Sequence, residues 1–148
     1  MSEYRITSTY PYPVETVWRA VTDPAIVPRW TAVGRGGTPE GFAPVVGTRF
    51  RLVGKPTIGW DGVVRCEVLE VAEPVKLVYT WSGGENETPS LVTYRLEPAG
   101  TGTTFTWEHT GFTGAGGFFM SRLLRSVRHR MLTEALPRVL EEEARSQA

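Results

Sequence analysis

The chain has 148 residues and carries 16 Lys+Arg against 16 Asp+Glu, a formal net charge of zero. That length suits a single domain over residues 1–148, and the balanced charge and 41% apolar content argue against both a nucleic-acid binder and a disordered chain. A single cysteine excludes an internal disulfide, MSEYRITSTY lacks the basic and apolar regions of a signal peptide, and no apolar run nears the roughly 18 residues of a membrane span, so a cytoplasmic protein is expected.

Glu3–Thr9 alternates Tyr4, Ile6 and Ser8 with Arg5, Thr7 and Thr9, the pattern of a first strand. Pro13 suits a first helical turn, and Val14, Val17, Trp18 and Val21 recur at helical spacing until Asp23-Pro24. A second short helix follows over Ala25–Trp30. Thr31–Gly47, rich in glycine and proline and without a period, reads as a loop.

Five strands are then predicted at Thr48–Val53, Gly62–Val71, Lys76–Trp81, Ser90–Glu97 and Thr103–His109. EPVK, GGENETPS and PAGTG mark turns between the later ones, so successive strands pair antiparallel. Gly111–Gly117 reads as a hinge. From Phe118 to Ala144 a long helix places Met120, Leu123, Leu124, Val127, Met131, Ala135 and Val139 on one face, with Pro137 bending it near Thr133–Leu136. The tail EEEARSQA is expected to fray. The class is α+β: a curved antiparallel six-stranded sheet wrapped on a long C-terminal helix, with two short helices after the first strand. The helix is the only element large enough to cover the sheet's apolar face.

PVETVWRAVTDPAIVPRW resembles the opening of the START-like (SRPBCC) superfamily. GVVRCEVLEVAEPVKLVYTW, SLVTYRLEPAGTGTTFTWEHTGF and the helix from Gly116 resemble its branch related to the activator of Hsp90 ATPase homologue. The likeness spans nearly the whole chain. It implies a helix-grip fold with a mostly apolar cavity between sheet and helix. Members include lipid carriers, polyketide cyclases and aromatases, and co-chaperone domains, so the fold alone does not name a function. The eukaryotic co-chaperone's additional N-terminal domain has no counterpart in this sequence, which ranks a chaperone contact last among the readings.

Tyr79, Trp81, Tyr94, Phe105 and Trp107 fall on the inward faces of successive strands, and read either as plain core or as the wall of a pocket for a small hydrophobic or aromatic molecule. Trp30 and Phe42 lie near the entrance, Trp60 at the rim, and Phe119 and Leu123 join from the long helix. Adjacent residues on a strand face opposite ways, so Glu108 points outward, pairing with Arg95 or Arg65, while His109 points inward as a ligand contact or a satisfied wall histidine. Arg128 either meets an acidic or phenolate ligand in the cavity or, the preferred reading, snorkels out along the helix. Arg122, Arg125 and Arg130 form a solvated face or a patch for an acidic partner. Cys66 reads as a small buried hydrophobe, and two histidines and one cysteine show no metal-ligand spacing. The preferred function is therefore non-catalytic binding, without cofactor or metal and with no catalytic residue assigned. A polyketide cyclase or aromatase using His109, Tyr79 and Tyr94 is the alternative.

Overall fold

The computed structural model describes residues 2–31, 38–56, 61–83, 88–112 and 114–146. β1 (Ser2–Tyr10) leads to α1 (Val14–Thr22) and α2 (Val27–Thr31). β2 (Thr38–Glu40), β3 (Arg49–Val53), β4 (Val63–Ala72), β5 (Lys76–Trp81), β6 (Ser90–Ala99) and β7 (Gly102–Phe112) follow. The helical part consists of α3 (Gly114–Arg130), a π-helical turn (Met131–Ala135) and α4 (Leu136–Ser146). The strands form one curved antiparallel sheet in the order β1-β7-β6-β5-β4-β3-β2. α3 lies against β1 and β7, while α1 and α2 pack on α4. This is a helix-grip fold. No described helix is long and apolar enough to cross a membrane.

The sheet has seven strands rather than six. The additional one, β2, sits inside the stretch read as a loop and pairs only with β3 at the sheet edge. Three residues centred on Pro39 offer no period to read, and an edge tolerates the missing proline N–H.

β7 carries the residue that closes the inner wall. Its alternation puts Phe105, Trp107 and His109 inward, then breaks: Ser2 pairs with Phe112 but Tyr4 with His109. The extra residue on β7 is a bulge at Gly111, whose φ of +93° favours glycine. It turns Phe112 inward, stacked on Tyr4.

The long helix departs from its expected face. Met120 and Leu123 are exposed, 41% and 46%, whereas Ser121 and Arg128 are buried at 5% each. α3 is thinly apolar among many arginines, so its own period fixes its rotation weakly. The phase is set further along, where Met131, Leu132, Ala135, Leu136, Val139 and Leu140 are all buried. Pro137 interrupts the helix as expected, through a π turn in which Leu136 N–H bonds the Met131 carbonyl. Proline has no N–H for the carbonyls one turn back, and the Tyr10 hydroxyl donates to the Leu132 carbonyl instead, at 2.6 Å. The acidic tail is helical to Ser146 rather than frayed. Arg29 donates to Glu142 and Glu143 at 2.8 Å each, tying α4 to α2.

Candidate functional site

Inward side chains of β3, β5, β6 and β7 bring Phe50, Tyr79, Tyr94 and Trp107 onto one surface. Ring centroids run Phe42–Phe50 5.0 Å, Phe50–Tyr79 5.2 Å, Tyr79–Tyr94 5.8 Å, Tyr94–Trp107 4.8 Å and Trp107–Trp30 6.3 Å. Most of these pairs meet edge to face, each adding about 0.5–1.5 kcal/mol beyond burial. Facing this surface is a cavity of about 20 Å³, room for about one water. Val27 and Thr31 of α2, Pro39 of β2, and Phe42 and Leu52 close one side, and Arg128 of α3 closes another.

Arg128 is the charged member of that wall. Its guanidinium carbon lies 5.0 Å from the Trp107 ring centroid, in cation–π contact, and Nη1 donates to the weak acceptor Met131 Sδ at 3.2 Å. Arg128 Nε and Trp107 Nε1 are buried with no hydrogen-bond partner, as is Trp81 Nε1. No described carboxylate forms an ion pair with Arg128. Arg128 therefore does not snorkel outward, contrary to the preferred expectation. The rotation of α3 directs it inward, while its neighbours His129 and Arg130 are exposed.

His109 occupies a second cluster beside the cavity, against Tyr4, Trp81 and Phe112. Ser90 Oγ donates to the Trp81 carbonyl at 3.1 Å, so at 2.7 Å it accepts from His109 Nε2–H. Nδ1 then accepts from the Tyr4 hydroxyl at 3.2 Å. Burial, aided by the Arg128 charge, lowers the His109 pKa to about 3 and keeps the ring neutral. Glu108 points outward, 3.2 Å from Arg95 and 3.4 Å from Arg5, and Arg65 pairs with Asp61 instead.

The activator of Hsp90 ATPase homologue 1-like family model matches residues 11–135. The chain belongs to that family, a branch of the START-like superfamily. Three solved structures show the same fold as this Hsp90-activator-homologue-like chain. Protein MLL2253 of Mesorhizobium loti is 27% identical, with a TM-score of 0.74, over 95% of this chain and 98% of that one. CalU16 of Micromonospora echinospora is 23% identical, with a TM-score of 0.63, over 97% of this chain and 84% of that one. DynU16, a protein of the dynemicin biosynthetic locus, is 24% identical, with a TM-score of 0.70, over 95% of this chain and 48% of that one. No curated protein matches the sequence.

Within this family member the candidate residues divide into groups. Tyr79, Tyr94, Trp107 and Arg128 line the cavity. Phe105 packs behind Tyr94 at 5.3 Å, and Trp30 supports Trp107 while donating its own N–H to the Ala20 carbonyl. Trp81 and His109 belong to the second cluster. Leu123 is exposed because of the helix rotation, and the side chain of Phe119 and all of Trp60 lie outside the described residues. Phe50, Leu52, Val27, Thr31 and Pro39 line the cavity without having been singled out. The alternation of Phe50 and Leu52 was readable, but what faces them depends on β2 and α2, which only the folded chain brings across.

Burial raises the Tyr79 and Tyr94 pKa values, and raises the Cys66 thiol to about 12. A wider open depression of about 710 Å³ lies on the outward face of the sheet. Its charges are already matched: Arg51 with Glu40, Arg49 with Glu67 and Arg65 with Asp61.

Proposed function

We propose that the protein binds a small apolar or aromatic molecule between the sheet and the C-terminal helix, without catalysing a reaction. One observation carries this reading. The inward aromatic residues do not close on one another completely; Tyr79, Tyr94 and Trp107 instead border a cavity, and two of its lining residues, Trp107 and Arg128, each carry a buried side-chain nitrogen without a hydrogen-bond partner. That space of about 20 Å³ admits about one water, so binding widens it at the expense of the contacts made by α2 and β2.

A cyclase- or aromatase-type reaction is the second reading, prompted by DynU16 and its biosynthetic locus. Proton transfer near neutral pH favours a group whose pKa lies near the working pH. His109 is held near 3 with both nitrogens engaged, and the cavity tyrosines and Cys66 are shifted upward, all of which favours binding over proton chemistry. A chaperone-facing role remains suggested by family membership alone.

The test uses 2-naphthylmethanol, a neutral bicyclic aromatic alcohol, followed by thermal shift and by direct titration. Saturable binding that raises Tm is expected, and Leu52→Phe, which fills the cavity from β3, is expected to abolish it while leaving the fold intact. No binding to the unsubstituted protein at millimolar probe, or unchanged binding in Leu52→Phe, contradicts the proposal.

A further inference from the structure

Arg128 presents an energetic problem that the apolar reading leaves unsolved. A guanidinium removed from water loses strong hydration, and proteins offset that loss by pairing it with a carboxylate. Here 95% of the residue is shielded, as its relative exposure of 5% shows. Its contacts are the Trp107 ring face, the Met131 thioether sulfur and the neutral Tyr4 hydroxyl, and its Nε has no hydrogen-bond partner. The titratable groups on which its charge acts are Tyr4, Cys66, Tyr79, Tyr94 and His109, and none of them is a carboxylate. Replacing buried ionic groups by well-packed apolar residues of similar volume is often neutral or stabilising. A buried cation held in a pocket at such cost is an expected feature of a site that meets an anion.

The polar atoms around the cavity have a consistent sense. Arg128 can only donate, and the Tyr79 and Tyr94 hydroxyls, 3.5 Å apart, have one proton to share between them and one left to donate elsewhere. Among the described lining residues there is no carboxylate to compete for these donors. The planar guanidinium fits a carboxylate with two parallel hydrogen bonds, and the Trp107 face beneath it suits a flat ligand body beside that contact.

Resting on the binding reading above, we propose that the cavity selects aromatic acids: a carboxylate on a flat apolar body, with Arg128 as its counter-ion and Tyr79 or Tyr94 as a second donor. The ligand anion then supplies the negative charge that the fold omits. The rings of Trp107 and Tyr94 take the apolar part, and Arg128 determines which of several similar-sized molecules is retained.

The experiment compares 2-naphthoate with 2-naphthylmethanol, which share a ring system and differ in charge. The unsubstituted protein is expected to bind the acid about tenfold or more tightly than the alcohol, tenfold corresponding to about 1.4 kcal/mol. In Arg128→Met, a substitution of similar length, the preference for the acid over the alcohol is expected to disappear. The ligand-free Arg128→Met protein is also expected to have an unchanged or higher Tm, whereas an arginine kept for structure would lower it. Equal affinities for the two probes in the unsubstituted protein, or a preference that survives Arg128→Met, overturn this inference and leave the cavity reading intact. Failure of both probes to bind overturns both. Should Arg128→Met fold poorly, Arg128→Lys decides: keeping the charge but losing the two-pronged geometry, it is expected to retain a reduced acid preference, and an undiminished one contradicts the two-pronged contact.

Discussion

Ser90, His109 and Tyr4 form a chain in which each hydrogen has one place to go. The Trp81 carbonyl takes the Ser90 proton, Ser90 takes that of His109 Nε2, and His109 Nδ1 takes that of Tyr4. The histidine is therefore a neutral brace between β1, β6 and β7. Its pKa of about 3 in the folded protein lies below the ordinary value of 6.5. The unfolded chain thus takes up the proton first as pH falls. The stabilisation is fully present above about pH 6.5 and declines toward pH 3, with a limiting slope of about 1.4 kcal/mol per pH unit. His109→Gln retains one donor and one acceptor but cannot titrate. Urea unfolding between pH 7 and 5 should show a smaller loss of stability in this variant than in the unsubstituted protein; parallel curves would contradict the neutral-histidine assignment. The opposite orientations of Glu108 and His109 were legible from strand alternation alone. Arg128 was not, because the α3 sequence places it between the apolar stripe and the arginine flank, and the choice is made by packing elsewhere.

At the scale of elements, strands with strict alternation were legible to within a residue or two, as were both short helices, except that β7 runs three residues past the expected His109 to Phe112. What escaped was what alternation does not encode. β2 is too short and too polar at its ends to show a period, and the Gly111 bulge turns Phe112 to the inner face, which alternation continued from His109 does not give. The C-terminal helix shows how one residue's chemistry spreads: Pro137 withholds an N–H, the turn before it widens to a π turn, and Tyr10 from β1 satisfies the Leu132 carbonyl. Tyr10→Phe removes that donor alone and leaves a buried carbonyl unpaired, at a cost of about 1–3 kcal/mol. Chemical denaturation should show this loss with little change in m-value. A change within error of zero would mean that the carbonyl finds another donor and that this bond does not hold the helix to β1.

Across the whole molecule, a sheet curved around one helix leaves its interior to be filled by side chains or by a ligand. The fold and its superfamily were legible because the order of elements and the motifs around VLEVAEPVKLVYTW and TTFTWEHTGF span nearly the chain. The cavity itself was legible only in part: its aromatic floor follows from alternation on β5, β6 and β7, whereas its roof comes from α2, β2 and the rotation of α3, which depend on contacts distant in sequence. This interior is the place proposed for a small molecule to bind. The most direct measurement is a titration of isotope-labelled protein with 2-naphthoate, following the indole N–H resonances of Trp107 and Trp18 by NMR. Binding in the cavity predicts a saturable shift of the Trp107 signal, whose N–H has no protein partner, with the Trp18 signal on α1 unmoved. A Trp107 signal that stays in place while resonances of Arg49, Arg51 and Glu67 on the outer sheet respond would contradict it.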